Sequence, residues 1–528
     1  MIRPLPESTP AAAIAVTRGM AADGLGLFID GEERPGAERR RFSRIDPYSG
    51  ESWYDVADAS ADDVDAAVAS AHRAQASVWG SMSAYERSLI LLRIADAVEK
   101  DADVFGLLDT LDNGKLFRET RSQAVGVAHS LRYAAGGAEK VEGVTAPASD
   151  NQTLAMSIRV PYGVIGMIVP WNSPLPLLID GAAPALAAGN TVVVKTSEDA
   201  PASILRFAHL ALANGLPPGV LNVVSGTGPQ AGEALVRHPG ISKIVFTGGS
   251  AVGRRVASAA ADRLIPVLLE LGGKSAQIVM PDADINRVIP GLVSGVFAAA
   301  GQSCVAGGRA LVQRSIYAEV VERMSEAAES LMLGDPMMVE TQMGPLGSRR
   351  QTESALRHVH SALDGGARLV SGGQTRSTGL GQGQFFTPAV FADVDPANTL
   401  FQEEVFGPVL GLTPFDTLDE AIALANDSRY GLASGIWTTD IDTALRAATR
   451  IDAGTVWVNT YRAPEMTLSA GGTKESGYGR IGGSRQLYEF TREKSVIVNF
   501  SGVGNDPFVM GGGATATNAP ATSTIVEG

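Results

Sequence analysis

Val164-Ile165-Gly166-Met167-Ile168-Val169 is a short apolar run stopped by Pro170, and it opens the part of the chain that decides the fold. An apolar run of this length suits a strand buried on both faces, and proline ends its hydrogen-bonding ladder. A helix is expected over 177–188, followed by a second buried strand, Thr191-Val192-Val193-Val194-Lys195. The pattern then repeats. Helical spacing over 201–214 leads to the strand Val220-Leu221-Asn222-Val223-Val224, and a helix over 230–237 leads to Lys243-Ile244-Val245-Phe246 and Thr247-Gly248-Gly249-Ser250. Strands separated by helices of about a dozen residues predict a parallel sheet covered by helices, an α/β fold of Rossmann-like kind.

Outward from this run, a second α/β block is expected from Lys274 to about Thr467, with strands at 276–280, 310–312 and 454–458. Upstream, Leu27-Phe28-Ile29-Asp30-Gly31 reads as a strand entering a tight turn. Residues 62–75 and 83–112 carry helical spacing, Ser60 is a plausible cap, and Leu111-Asp112-Asn113-Gly114-Lys115 breaks the pattern before helix resumes to about Lys140. Residues 495–500 form a late strand of the kind that pairs with another subunit's sheet edge. Residues 1–24 read as a loose leader and 501–528 as a disordered Gly/Ala/Thr/Asn-rich tail.

Composition narrows the function. A chain of 528 residues exceeds one core, so more than one domain is expected. A net charge of −14 argues against nucleic acid and anionic membranes as partners. The single cysteine excludes an internal disulfide and a cysteine-rich metal site, and no H-E-x-x-H occurs. His358 and His360 read as surface residues of a polar helix, so no metal is expected. No apolar run approaches the roughly 18 residues of a membrane span, and the apolar stretch at 11–16 is too short for a secretory core. A cytoplasmic protein follows.

The chemistry gathers where strands end. Asn172 follows the first strand, Lys195 ends the second with Glu198 three residues on, Gly226-Thr227-Gly228 follows the third, and Thr247-Gly248-Gly249 the fourth. Ligands of such sheets bind outside the carboxyl ends of strands, and glycines opening helices offer amides to phosphate. Lys195 could hydrogen-bond ribose hydroxyls; Glu198 could take an adenosine 2′-OH and repel a 2′-phosphate. Gly272-Gly273-Lys274-Ser275 is not a P-loop, because Leu268 stands where its first glycine belongs. Glu270 interrupts the apolar run Val267-Leu268-Leu269. It reads either as a buried ion-pair partner of Lys274 or as a general base whose burial moves it toward neutral pH. Cys304, in Gly301-Gln302-Ser303-Cys304-Val305-Ala306-Gly307, is flanked by small residues that leave room for a second molecule, whereas a structural cysteine usually lies among large apolar ones.

Taken as a set, Pro170-Trp171-Asn172, Phe246-Thr247-Gly248, Glu270-Leu271-Gly272-Gly273-Lys274-Ser275, Gly301-Gln302-Ser303-Cys304, Glu404-Val405-Phe406-Gly407-Pro408 and Ser476-Gly477-Tyr478-Gly479-Arg480 resemble the aldehyde dehydrogenase superfamily, NAD(P)-dependent and hydrolytic in type, from about Phe28 to Phe500. The resemblance implies a dinucleotide-binding domain (25–140 and 160–270), a catalytic domain (271–470) and a small β oligomerisation element (141–159 with 485–500), assembled as a homodimer or homotetramer. It implies Cys304 as the nucleophile toward a small-molecule aldehyde, Asn172 and the Cys304 backbone N–H as oxyanion donors, and Glu270 as the base that hydrolyses the thioester. NAD, with NADP as the alternative, would lie along Val169, Pro170, Trp171, Lys195, Glu198 and Gly228. Its contacts would continue over Phe246, Gly248, Gly249, Val252 and Leu271, with Glu404 on the nicotinamide ribose and Phe406 beside the ring.

The chain also departs from the family. Gly249 stands where Ser is common, which removes one phosphate contact, and Ile481 stands where many members carry Glu, so any proton relay must differ. Alignment on the motifs places Gly126, Asp180, Pro464 and Ala470 along the substrate passage beside Ser303 and Val305, with Arg462 facing either substrate or solvent. A wide passage with a carboxylate in its wall implies a bulky or polar aldehyde, such as a semialdehyde or cyclic hemiacetal. Two other readings stand beside this one: a dehydrogenase that passes the acyl group to coenzyme A, and a catalytically idle dinucleotide-binding homologue. The presence of Glu270 disfavours the first, and the intact Asn172, Glu270 and Cys304 disfavour the second.

Overall fold

The computed structural model describes residues 3–376, 382–502 and Phe508. The run that opens at Val164 forms the middle of an eight-stranded sheet. Its order is Glu32–Arg34, Leu27–Ile29, Leu221–Val224, Thr191–Lys195, Val164–Ile168, Lys243–Thr247, Val267–Glu270 and Gly477–Tyr478. The five central strands are parallel and the outer pairings antiparallel. Thr191–Lys195 is buried along its whole length, as a β-branched run covered on both faces should be. From Val164–Ile168 the chain builds outward through two strands on one side, then returns to add Lys243–Thr247 on the other. The strand order therefore reverses between these two neighbours, and a ligand crevice opens at such a reversal, beyond the carboxyl ends.

A second sheet of seven strands runs in the order Arg368–Ser371, Ala389–Ala392, Val409–Phe415, Arg309–Gln313, Ala276–Val279, Ala433–Trp437 and Thr455–Val458, parallel except at its first pair. It has its own apolar core, separate from the clusters that pack the first sheet. Thr491–Asn499 pairs antiparallel with Thr153–Pro161, from Thr491 opposite Pro161 to Asn499 opposite Thr153, and Thr145–Ala146 completes a three-stranded sheet.

Three readings change. Residues 1–24 are not a loose leader: Ala11–Asp23 is a helix, its Ala13 and Thr17 are fully buried, and it packs on Ala102–Asn113. Arg3 reaches Asp46 at 2.9 Å and Asp335 at 2.7 Å, and lies over the Tyr48 ring. Alanine is the best helix former but leaves a faint apolar stripe, so composition concealed the element. The helix expected over 83–112 is two, Ala84–Lys100 and Ala102–Asn113, parted at Asp101, whose side chain turns to Arg206. His358 is half-buried rather than superficial, and burial pushes it down to about 4. The tail beyond Gly502 lies outside the described residues, apart from Phe508. Among the described residues no helix is long and apolar enough to cross a membrane.

Candidate active site

Cys304 sits at the end of a strained approach. The helix Ile285–Phe297 gives way to Ala299 (φ 55°), Ala300 (φ 52°) and Gly301 (φ 70°), three consecutive left-handed residues. For alanine that conformation costs about 1–2 kcal/mol. Gly301 is required here, because a Cβ would run into the backbone of Gly407. The turn is held from several sides. Gln302 N–H and Nε2 donate to the Ala299 carbonyl at 3.1 and 3.2 Å, Gly347 N–H donates to Gln302 Oε1 at 2.8 Å, and Tyr461 Oη donates to the Val305 carbonyl at 3.0 Å. Burial pushes the Cys304 thiol up to about 12, with Glu404 and Glu270 adding to the rise and Arg462 and the Val305 N–H opposing it.

Asn172 lies beyond the Val164–Ile168 strand, and Pro174 then starts the helix Pro174–Ala187. Asn172 Nδ2 donates to the Gln302 carbonyl at 3.1 Å, which fixes the amide against the cysteine loop. An amide carries two donor hydrogens, so one remains for a substrate oxygen. The helix break noted at 111–115 braces the same segment. Asn113 Nδ2 donates to the Trp171 carbonyl at 3.4 Å, and the buried Lys115 Nζ donates to Ser173 Oγ at 2.6 Å. Lys115 was invisible as a site residue in the sequence, since its only signal was the interrupted helix.

Glu270 ends the Val267–Glu270 strand. Burial pushes its carboxyl up to about 8, against the pull of Arg480 and with a further rise from Asp180. Its Oε1 is buried and meets no hydrogen-bond partner among the described residues. The alternative of a Glu270–Lys274 ion pair does not form, because Lys274 lies instead in the field of Glu404 and Glu403. Glu404 accepts from the Gly273 N–H at 3.1 Å, and a Cβ on Gly272 would collide with its carboxylate. The adjacent glycines after Glu270 thus make the seat of Glu404, whose carboxyl burial raises to about 7.

These side chains enclose one cavity of about 210 Å³, lined by Pro170, Trp171, Asn172, Gly248, Gly249, Glu270, Leu271, Cys304, Glu404 and Phe406 among the expected residues, and also by Leu177, Thr247, Gly272 and Gln351. The Trp171 and Phe406 rings meet edge to face at 5.6 Å. The remaining dinucleotide candidates lie outside this cavity, on the same sheet's strands or in the segments that follow their carboxyl ends. Val169 and Phe246 are buried, and Val252 is exposed on the helix Ser250–Ala261. Lys195 Nζ donates to Glu198 at 3.2 Å; burial raises the Glu198 carboxyl, but Lys195, a backbone N–H and Arg350 together outweigh it and the net shift is downward, so Glu198 stays ionised. A dinucleotide fits these residues. Gly228 and Gly249 have open space where a Cβ would stand, and the phosphates can approach those backbones.

A second, larger cavity of about 650 Å³ holds Asp180, Pro464 and Ala470 together with Tyr133, Trp457 and Met466. Burial pushes Asp180 up to about 7. Gly126 is not in its wall: it is exposed, and the same helix contributes Ser130 and Tyr133, about one turn and two turns further on. Arg462 turns inward rather than to solvent. Its guanidinium donates to the Ala298 carbonyl at 3.3 Å, and its charge acts on Cys304. Ser303 and Val305 flank the cysteine and are half-buried.

A cysteine held beside an amide and a buried carboxylate, at the mouth of a dinucleotide crevice, defines a class. Residues 34–496 match the aldehyde dehydrogenase family, and the chain belongs to it. Over 492 residues it is 41% identical to the phenylacetaldehyde dehydrogenase of Pseudomonas fluorescens, covering 91% of this chain and 98% of that one. It is equally 41% identical to the (Z)-2-((N-methylformamido)methylene)-5-hydroxybutyrolactone dehydrogenase of Acinetobacter baylyi, covering 92% and 99%. The NAD+ complex of an aldehyde dehydrogenase from Bacillus cereus matches the fold with a TM-score of 0.90 at 37% identity, over 92% of this chain and 99% of that chain.

Proposed function

We propose that this chain oxidises a bulky or polar aldehyde to its free acid with NAD, using Cys304, Asn172 and Glu270. The observation that carries this reading is the single cavity in which all three meet the glycine-lined strand ends and Glu404. Cys304 Sγ attacks the aldehyde carbon as Glu270 removes the thiol proton. A C–S bond forms, and the carbonyl oxygen becomes an oxyanion that the second Asn172 amide hydrogen and the Cys304 N–H can hold. Bound at the strand ends, the dinucleotide would supply the hydride acceptor that turns the adduct into a thioester, and Glu404 and Phe406 would hold its nicotinamide end. Once Glu270 has given up the thiol proton it takes one from water, the water oxygen adds to the thioester carbon, and the C–S bond breaks to release the acid and a Cys304 thiolate that recovers the proton from Glu270. Burial that lifts the carboxyl to about 8 makes its carboxylate a minority form at neutral pH but a stronger base than an ordinary one, and such a base supports hydrolysis over transfer to coenzyme A.

The ionised Glu198 supports NAD over NADP, because a 2′-phosphate would face its charge. The roomy outer cavity supports a large substrate, as do relatives named for phenylacetaldehyde and for a hydroxybutyrolactone. Exposed Ile497 and Phe500 at the end of the Thr491–Asn499 edge strand support a homodimer or homotetramer built through that sheet. A chemistry that depends on a reduced thiol supports a cytoplasmic setting.

NADH formation across small aliphatic, aromatic, semialdehyde and hydroxylactone compounds tests this reading, with Cys304→Ala as control. Turnover of the larger members that disappears in the variant is expected. A tenfold preference for acetaldehyde in kcat/KM would overturn the substrate assignment, and turnover that survives in Cys304→Ala would overturn the nucleophile.

A further inference from the structure

A base that takes the Cys304 thiol proton must pass it on before it can activate water, and Glu270 has no hydrogen-bonded outlet at Oε1 among the described residues. Its Oε1 is buried without a partner, and Arg480, the nearest cation acting on it, spends guanidinium donors on the Gly472 and Gly479 carbonyls at 2.9 and 2.8 Å. The way out is marked by two neighbours. A Cβ on Gly471 would lie 2.9 Å from Glu270 Oε1, and the preceding residue, Ala470, already lines the outer cavity. The orphan oxygen therefore stands directly behind the outer cavity's wall. Helix Pro174–Ala187 spans both spaces: Leu177 lines the cysteine's cavity, and Asp180, one turn later, lines the outer one. Asp180 has no hydrogen-bond or ion-pair partner among the described residues, its charge acts on Glu270, and Ile481 occupies the same outer cavity without a polar group.

We propose that Asp180 is the relay residue that receives, through water, the proton Glu270 takes from the Cys304 thiol, and releases it to the outer cavity before thioester hydrolysis. This rests on the hydrolytic reading above. In acylation the S–H bond breaks as the C–S bond forms, and the proton goes to the Glu270 carboxylate. It then passes to the Asp180 carboxylate and on to solvent, restoring both bases. In hydrolysis a water O–H bond breaks, its oxygen bonds to the thioester carbon and its proton goes to the restored Glu270. Collapse of the adduct breaks the C–S bond, and the Cys304 thiolate, with the higher proton affinity, takes that proton back from Glu270. Proton affinities of about 8 for Glu270 and about 7 for Asp180 are close enough for transfer either way. Cys304, Glu270, Glu404, Arg462, Arg480 and Asp180 are the titratable groups linked by these shifts, and Tyr133 and Glu465 are the others in the outer wall.

The test follows the acyl-enzyme directly, by rapid quench and intact-protein mass, with phenylacetaldehyde and NAD as probes. Asp180→Asn should still load Cys304 in the first turnover and then hydrolyse the adduct about tenfold more slowly than wild type or worse. Imidazole should restore the rate, and the acid limb of hydrolysis should move to lower pH as a charge leaves Glu270's surroundings. The pair Asp180→Asn with Ile481→Glu, which returns a carboxylate from another part of the same cavity, should recover hydrolysis. Unchanged hydrolysis in Asp180→Asn overturns the relay, as does a raised aldehyde KM with hydrolysis intact, which would make Asp180 a substrate contact. A wild-type enzyme that never carries an acyl group on Cys304 would overturn the hydrolytic reading itself, a result distinguishable from failure of the relay alone.

Discussion

Replacing Glu270 by Gln should stabilise the folded protein, and increasingly so as pH rises. The carboxyl moves from an ordinary 4.5 to about 8 on folding, mainly because burial disfavours its charge. The folded state then binds the proton more tightly than the unfolded chain does. Its stability is intact below pH 4.5 and drains away as pH climbs toward 8. Each tenfold in proton affinity is worth about 1.4 kcal/mol. The penalty is therefore about 1 kcal/mol at pH 5, about 3 kcal/mol at pH 7 and about 4 kcal/mol at pH 8. Glutamine keeps the shape and never ionises, and since Oε1 has no hydrogen-bond partner in the wild type, no partner is lost. Thermal melts of both proteins without cofactor, at pH 5 and pH 8, read the effect. The variant's advantage in Tm should be small at pH 5 and several degrees larger at pH 8. A gap that stays constant or narrows with rising pH would refute the claim that Glu270 is held protonated by burial, and with it the basis for calling it a base tuned to neutral pH.

Other perturbations test neighbouring parts. Cys304, raised to about 12, should react with iodoacetamide about tenfold faster per pH unit between pH 7 and 10 in the cofactor-free protein; a plateau below pH 9 would contradict that environment. Gly272→Ala should push Glu404 from its seat and weaken NAD binding about tenfold, read by fluorescence titration, while Cys304 remains alkylatable. Glu198→Gln should raise kcat/KM with NADP relative to NAD, and an unchanged ratio would remove Glu198 from cofactor choice. Arg3→Ala should lose about 3 kcal/mol by stranding the buried Asp46, visible as a lower Tm.

The sheet's centre was legible because its strands are continuous apolar runs, and a strand buried on both faces has no other way to read. The chemistry was legible where a residue contradicted its surroundings: a carboxylate inside Val267–Glu270, or a thiol among glycines and alanines. Contradiction of this kind survives in one dimension. What did not survive is position and direction. Gly126 lies on the expected helix and on the same face as Ser130 and Tyr133, four and seven residues on, but a turn short of the outer cavity, a difference of position along the axis that helical spacing alone does not fix. Arg462 had two directions open, and the Ala298 carbonyl, far away in sequence, decided between them. Beyond the interrupted helix Lys115 gave no signal, because its partner, Ser173, belongs to another element. The N-terminal helix was missed for a different reason: alanines make helix without making a pattern.

The site's strained and ill-solvated groups all point one way. Left-handed Ala299 and Ala300, a thiol near 12, and carboxyls near 8, 7 and 7 at Glu270, Glu404 and Asp180 would each favour local unfolding if they stood on a loop alone. They persist because each is tied to an element buried for other reasons. Glu270 is fixed in a strand between Lys243–Thr247 and Gly477–Tyr478, Asp180 lies within a helix whose neighbours are core, and the Cys304 loop is clamped by Gln302, Gly347 and Tyr461. Two separate cores face each other across the cavity, so relaxing any one of these groups would disturb an element packed into a core. On this account the instability at the site is local and chemical. Neutralising a single group, as Glu270→Gln does, should therefore firm the fold while it removes the reaction, and the two effects should share one pH dependence.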